Sequence, residues 1–142
     1  MIVRREVVAQ VKPEVAFAYL SDFTTTTEWD PGTVRTTRAE GDGGVGTVYL
    51  NTSSFAGRQT ELTYVVTELH APEVIALRGE NSTLVAFDTM TVEPHERGTR
   101  VVYQADFRFK GAWKLIGPFL RPAFRRLGDE AQAGLQTALD GR

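Results

Sequence analysis

Cysteine is absent from the 142 residues, which removes disulfides, thiolate nucleophiles and thiolate metal ligands together. The fold must stand on packing alone, and the composition fits a reducing compartment. Histidine is scarce as well, with two in the chain. His70 and His95 both fall in turns, apart from each other, so neither a zinc site nor a histidine-based nucleophile triad assembles and no metal is expected. A charge excess is also missing: 16 Lys and Arg against 18 Asp and Glu give a formal charge of −2. That leaves no global basic field to draw in nucleic acid or anionic lipid. No apolar run approaches the roughly 20 residues of a membrane span. The opening MIVRREVVAQ lacks the apolar stretch and small-residue cleavage site of a signal peptide. A cytoplasmic location without stable membrane insertion is therefore expected, and the tripeptides Asn51-Thr52-Ser53 and Asn81-Ser82-Thr83 carry no meaning as glycosylation sites.

What is present is patterning. A chain of this length buries roughly 70% of the surface it exposes when unfolded, enough for one core and a modest cavity. Residues 2–10 read as a strand that ends at Lys12-Pro13, where proline suits a first helical turn. A short helix follows over Glu14–Leu20, with Val15, Tyr19, Phe17 and Leu20 on its apolar side, and a second helical turn covers Thr24–Glu28. After Trp29-Asp30-Pro31-Gly32 the hydrophobic period becomes two. Six strands are expected at 33–40, 46–53, 58–69, 74–79, 84–94 and 99–109, joined by short turns into an antiparallel meander. From Ala112 the spacing is helical again, with Ile116, Leu120, Phe124, Leu127, Ala131, Leu135 and Ala138 on one stripe. Pro118 and Pro122 make its start irregular, and the regular helix is expected from Pro122 to Asp140. No linker or repeat interrupts residues 1–142, so one domain is expected.

The order strand, two short helices, six strands and long helix resembles the START-like helix-grip superfamily, in particular its polyketide cyclase/dehydrase and lipid-transport (SRPBCC) branch. Its local marks are Val15-Ala16-Phe17-Ala18-Tyr19-Leu20-Ser21-Asp22, Trp29-Asp30-Pro31-Gly32, Val45-Gly46-Thr47 and Gly98-Thr99-Arg100-Val101. The resemblance implies an α+β fold, a seven-stranded curved antiparallel sheet around the C-terminal helix, with a ligand cavity between them.

Hairpin partners keep a constant sum of residue numbers and strands alternate faces. Placing Val92 opposite Val101 then pairs Met90 with Tyr103, Asp88 with Ala105 and Ala86 with Phe107. The same reasoning turns Tyr49, Leu62, Tyr64, Val66, Ile75, Leu77, Leu84, Ala86, Asp88, Met90, Tyr103, Ala105, Phe107 and Phe109 inward. Asp88 is placed opposite Ile75 and Ala105, with Arg78 on the other face and no inward Lys, Arg or His nearby. A single bulge would reverse part of this list, turning Asp88 out and Phe87 in.

The expected ligand-binding residues are Trp29, Tyr49, Leu62, Tyr64, Leu77, Ala86, Asp88, Met90, Tyr103, Phe107, Trp113 and Phe119, of which each Leu and Phe also reads as plain core packing. Trp29 and Trp113 stand beside loop and helix entrances, as rims of the cavity. Trp113 reads equally as a staple for the helix start. The tyrosines offer apolar walls with hydrogen-bonding tips. Asp88 is the candidate catalytic group, an acid or base among apolar neighbours, or a carboxyl bonded to a tyrosine. Gly41-Asp42-Gly43-Gly44-Val45-Gly46-Thr47 lacks the Gly-Lys-Ser/Thr and following helix of a phosphate loop. It reads as a hairpin turn, with the further option that it edges the cavity mouth, and no cofactor is expected. Lys110, Lys114, Arg121, Arg125 and Arg126 read as a solvated helix face balanced by Asp129 and Glu130, or as a contact for an anionic membrane or head group. Three functions remain open: a monomer or weak homodimer that carries a polyketide-, isoprenoid-, sterol- or lipid-like molecule, a cyclase or dehydratase acting on one, or a protein-interaction module.

Overall fold

The computed structural model describes residues 1–142. The Val-rich opening forms β1 (Ile2–Ala9), and Pro13 at the first helical position starts α1 (Pro13–Ser21). A 3-10 turn, Phe23–Thr25, leads into the one-turn α2 (Thr26–Trp29). Six strands follow: β2 (Thr33–Glu40), β3 (Val48–Phe55), β4 (Arg58–His70), β5 (Val74–Glu80), β6 (Leu84–His95) and β7 (Gly98–Phe109). The short α3 (Trp113–Ile116) and a second 3-10 turn, Gly117–Leu120, precede the 19-residue α4 (Arg121–Leu139). All seven strands join one antiparallel sheet in the order β1-β7-β6-β5-β4-β3-β2.

The turn-derived register of β6 and β7 holds, with Val92 opposite Val101, Met90 opposite Tyr103, Asp88 opposite Ala105 and Ala86 opposite Phe107. Two details differ. Asp88 faces Leu77 rather than Ile75, a two-residue offset that preserves the face because the side-chain period is two. No bulge interrupts β6, so Asp88 stays inward. Register shifts fall instead between β2 and β3, at Thr33/Arg35 and Arg38/Glu40, and in β4 between Val66 and Glu68, where Leu69 rather than Glu68 packs on the core. In α1 the buried residues are Ala16, Phe17 and Leu20, whereas Val15 is exposed. The third strand starts at Val48 rather than at 46.

Helix α4 lies across the concave face and fastens to β1, one of the two edge strands of the sheet. Gln132 Nε2 donates to the Glu6 carbonyl at 2.8 Å and Gln136 Nε2 to the Val8 carbonyl at 2.7 Å. These side chains occupy acceptors that an unpaired edge would offer to another chain. Arg5 shares the inward side of β1 but is spent on α4, donating to Asp129 at 3.0 Å and to the Arg125 carbonyl at 3.1 Å. The helix also presses on α2: a Cβ at Gly134 would lie 1.8 Å from the Trp29 carbonyl oxygen. No side chain fits there, so glycine fixes how deep the C-terminal half of α4 sits.

That depth divides the interior. Toward the end of α4, Ala131, Leu135 and Leu139 join Val7, Phe17, Leu20, Trp29, Tyr49, Ile75, Leu77, Met90 and Val101 in a tightly buried cluster. Toward its start, Phe124 meets Val3, Ala86, Ala105 and Phe107 in a smaller one, and the remaining concave surface stays uncovered.

Of the two leucines on the helix stripe, Leu135 is fully buried, whereas Leu127 is half-buried on a cavity wall. Leu135→Ala should cost about 2–5 kcal/mol by leaving an unfilled hole. Leu127→Ala should cost clearly less, since the space it vacates already adjoins open volume. Equal shifts of the urea midpoints would mean that α4 does not divide the interior in this way.

Candidate functional site

The uncovered part of the concave face is a cavity of about 570 Å³, within the usual range for small-molecule sites. Its mouth lies between the β3–β4 hairpin, the β5–β6 turn and the segment from α3 to the start of α4. Fifteen of its 27 lining residues are hydrophobic, so its walls favour an apolar occupant. Phe124 anchors an aromatic wall, its ring centroid 4.5 Å from those of Phe55 and Phe107.

Among the twelve polar lining residues, two hydrogen-bonded groups stand out. One is the pair Asp88 and Tyr103, diagonal neighbours on β6 and β7. Tyr103 donates its hydroxyl to Asp88 Oδ2 at 3.2 Å, while the buried Oδ1 has no hydrogen-bond partner in the protein. Trp29 meets the Tyr103 ring edge-on at 5.7 Å. The Tyr64 ring lies over Gly79, where a Cβ would come within 2.6 Å of it. Loss of hydration on burial pushes the Asp88 carboxyl up to about 7. The Tyr103 hydrogen bond opposes that shift and the negative charge of Asp30 adds to it. Burial first, and then Asp88, also raise Tyr64 and Tyr103 well above the usual phenol value, so both remain neutral hydrogen-bond donors.

The second polar group is a directed chain. Thr26 Oγ1 donates to the Phe23 carbonyl at 2.8 Å, which commits its proton. Thr36, 2.7 Å away, must therefore donate to Thr26, and it accepts from Asn51 Nδ2 at 2.9 Å. Asn51 Oδ1 in turn accepts from Ser53 at 2.7 Å. Every hydroxyl proton in the chain is assigned, and the Ser53 oxygen is left as an acceptor on the cavity wall. Asp30 also lines the cavity, held by the Gly32 amide at 3.0 Å and the Thr33 hydroxyl at 3.1 Å, with its carboxyl raised by burial.

Seven of the twelve expected binding residues line this space: Trp29, Leu62, Tyr64, Asp88, Tyr103, Phe107 and Trp113. Trp29 is 2% exposed, so it belongs to the inner wall and not to a rim. Trp113 is a half-open rim residue and also begins α3. Tyr49, Leu77, Ala86 and Met90 face inward but sit in the packed clusters, off the cavity. Phe119 is 83% exposed and points away from it. The glycine-rich turn at 41–47 does not border the mouth, because it joins the opposite ends of β2 and β3. Asn51, Ser53 and Asp30 are cavity residues that the reading of the sequence passed over.

Asp88 makes stability depend on pH. Its carboxyl value is raised from 3.8 to about 7 on folding, so the native state holds a proton that the unfolded chain has released. The contribution of this group is therefore fully present below about pH 4, falls as pH rises and levels off above about pH 7. The span is on the order of a few kcal/mol. Asp88→Asn should flatten this slope in a series of denaturation midpoints and make the protein more stable than the parent at about pH 8. An unchanged slope would place a charged, solvated Asp88 in the native state.

The sequence matches the model of the family described as polyketide cyclase / dehydrase and lipid transport over residues 1–140. A comparison with curated proteins gives no match. Among solved structures, the Zhui aromatase/cyclase from Streptomyces sp. R1128 superposes with a TM-score of 0.84 at 15% identity, covering 98% of this chain and 93% of that one. The protein TTHA0849 from Thermus thermophilus gives 0.82 at 14% identity, covering 98% and 97%. The di-domain ARO/CYC BexL from the BE-7585A biosynthetic pathway gives 0.76 at 10% identity, matching all of this chain with 50% of its own length. These identities bear on the fold alone, and it is the match along nearly the whole sequence that assigns the chain to the polyketide cyclase/dehydrase and lipid-transport family.

Proposed function

We propose that this protein binds an apolar small molecule of polyketide, isoprenoid, sterol or lipid character inside the cavity, with a carbonyl or hydroxyl of that molecule directed at Asp88 and Tyr103. The observation that carries the reading is the composition of the space: an aromatic and aliphatic wall with the buried Asp88–Tyr103 pair set into it and one carboxylate oxygen left without a partner. Binding sites for small molecules are built in this way, with apolar walls for affinity and a few polar atoms for orientation. Family membership and the aromatase/cyclase neighbours support the same ligand class.

A second reading, that the bound molecule is cyclised or dehydrated, is favoured by Asp88 in particular. With its carboxyl pushed up to about 7, both protonation states are populated at neutral pH, which suits a group that must give and take a proton. Tyr64 and Tyr103 would polarise a carbonyl as neutral donors.

Anilinonaphthalene sulfonate should bind saturably with one site per chain, and at about one hundred times its Kd should add about 2.7 kcal/mol of stability by mass action. Leu127→Trp, which projects an indole into the cavity, should abolish that binding while the fold persists. Undiminished dye binding by Leu127→Trp would put the site elsewhere. Native mass spectrometry of freshly purified protein separates the classes, since a co-purifying polypeptide would replace the small-molecule reading by an interaction module. Asp88→Asn divides carrier from enzyme: lost turnover with retained affinity means catalysis, and unchanged affinity and turnover remove Asp88 from the site.

A further inference from the structure

The segment that closes one side of the cavity mouth has two faces. Trp113, Ile116 and Leu120 line the cavity, but the same short stretch leaves Leu115 78% and Phe119 83% exposed, with Ile116 at 44% and Trp113 at 40%. Four large apolar side chains on consecutive turns form a patch that an ordinary solvated surface does not carry. No residue of α3 is buried.

Around this patch the charge is of one sign. From Phe107 to Gly128 there are six Lys or Arg and no Asp or Glu, while the rest of the chain keeps ten basic against eighteen acidic residues. The molecule is therefore polarised, with its positive pole at the cavity mouth. The balance expected from Asp129 and Glu130 is partial: Asp129 is bound to Arg5, and Glu130 pairs with Arg126. Arg108 and Lys110 are engaged with Asp106 and Glu80. Lys114, Arg121 and Arg125 make no salt bridge and flank the exposed apolar residues.

We propose that this end of the protein docks on the surface of an anionic phospholipid bilayer, with Leu115, Phe119 and Trp113 in the interfacial layer and Lys114, Arg121 and Arg125 against the head groups. Apolar residues flanked by basic ones suit a bilayer interface, and each unpaired basic group strengthens attachment to an anionic surface by about fivefold. The apolar patch and the cations demand the same partner, because a neutral apolar surface would leave three unpaired charges beside it. Docking would bring the cavity mouth, with Trp113 on its rim, to the membrane, but Leu115 and Phe119 on the outer face carry it whether or not a ligand occupies the cavity.

The test uses the full chain with vesicles of phosphatidylcholine alone and of phosphatidylcholine mixed equally with phosphatidylglycerol. Co-sedimentation should occur with the anionic vesicles and decline as salt rises. Trp29 is already buried, so a blue shift of tryptophan emission on binding reports Trp113, and Trp113→Phe should remove it. The pair Leu115→Ser and Phe119→Ser should weaken binding by about tenfold or more. The pair Lys114→Gln and Arg121→Gln should weaken it by about 25-fold on anionic vesicles alone. All four sites are exposed, so melting temperatures should stay near the parent value. Failure to sediment with either vesicle, or binding that the serine pair leaves unchanged, would overturn the proposal. So would a concentration-dependent dimer abolished by the serine pair in a chain that ignores vesicles, since the patch would then serve a second copy.

Discussion

The contact between Gly134 and the Trp29 carbonyl governs the interior of this protein. A helix laid on a curved sheet cannot follow its whole concave surface, so its tilt decides which end is filled. Here the C-terminal half of α4 is drawn in because residue 134 has no side chain to hold it off. The amide ties from Gln132 and Gln136 to β1 hold the helix against the sheet edge. The half of the concave face beneath Ala131, Leu135 and Leu139 is packed as an ordinary core. The other half is walled by Phe55, Phe107 and Phe124 and left open. Trp29 connects the two, since its backbone receives the helix and its ring meets Tyr103 on the cavity wall.

Asp88 makes sense within that division. In a fully packed interior a carboxyl with one oxygen unpartnered would be a net loss that an amide or a leucine would remove. Here it borders an open cavity, and under the proposed function the unmatched acceptor would serve a ligand and the raised carboxyl value would be a usable property. On that reading stability and function would pull in opposite directions at this residue and along the cavity walls, where larger side chains would bury more apolar area but leave no room.

Much of this was legible from alternation and turn lengths. The β6–β7 register followed from the tight turn at Glu96-Arg97 and is correct at all four stated pairs. Parity was robust even where register was not, which is why Asp88 was turned inward although its partner on β5 was misplaced by two. The β4 bulge left no local mark that alternation could reveal. Asn51 is legible by the same rule, since the parity that turns Tyr49 inward turns Asn51 inward too. Asp30 reads locally as a turn residue, and only the packing of α4 over α2 brings it to the cavity. What parity cannot distinguish is cavity wall from filled core. Leu77, Ala86 and Met90 share a face with Asp88 and Tyr103, yet lie off the cavity because of the helix, not because of their own strands.

The same limit applies to Phe119. It is among the expected cavity contacts, but Pro118 and the 3-10 turn at Gly117–Leu120 reset the rotation between α3 and α4. Helical phase read back from α4 therefore does not carry through to residue 119, and its ring emerges on the outer surface. A break in phase is also what allows one short segment to face two ways, with Trp113, Ile116 and Leu120 toward the cavity and Leu115 and Phe119 toward solvent. A continuous amphipathic helix would have given a single apolar stripe and buried it. The irregular start of the C-terminal helix thus joins the inside of this protein to its positively charged outer face.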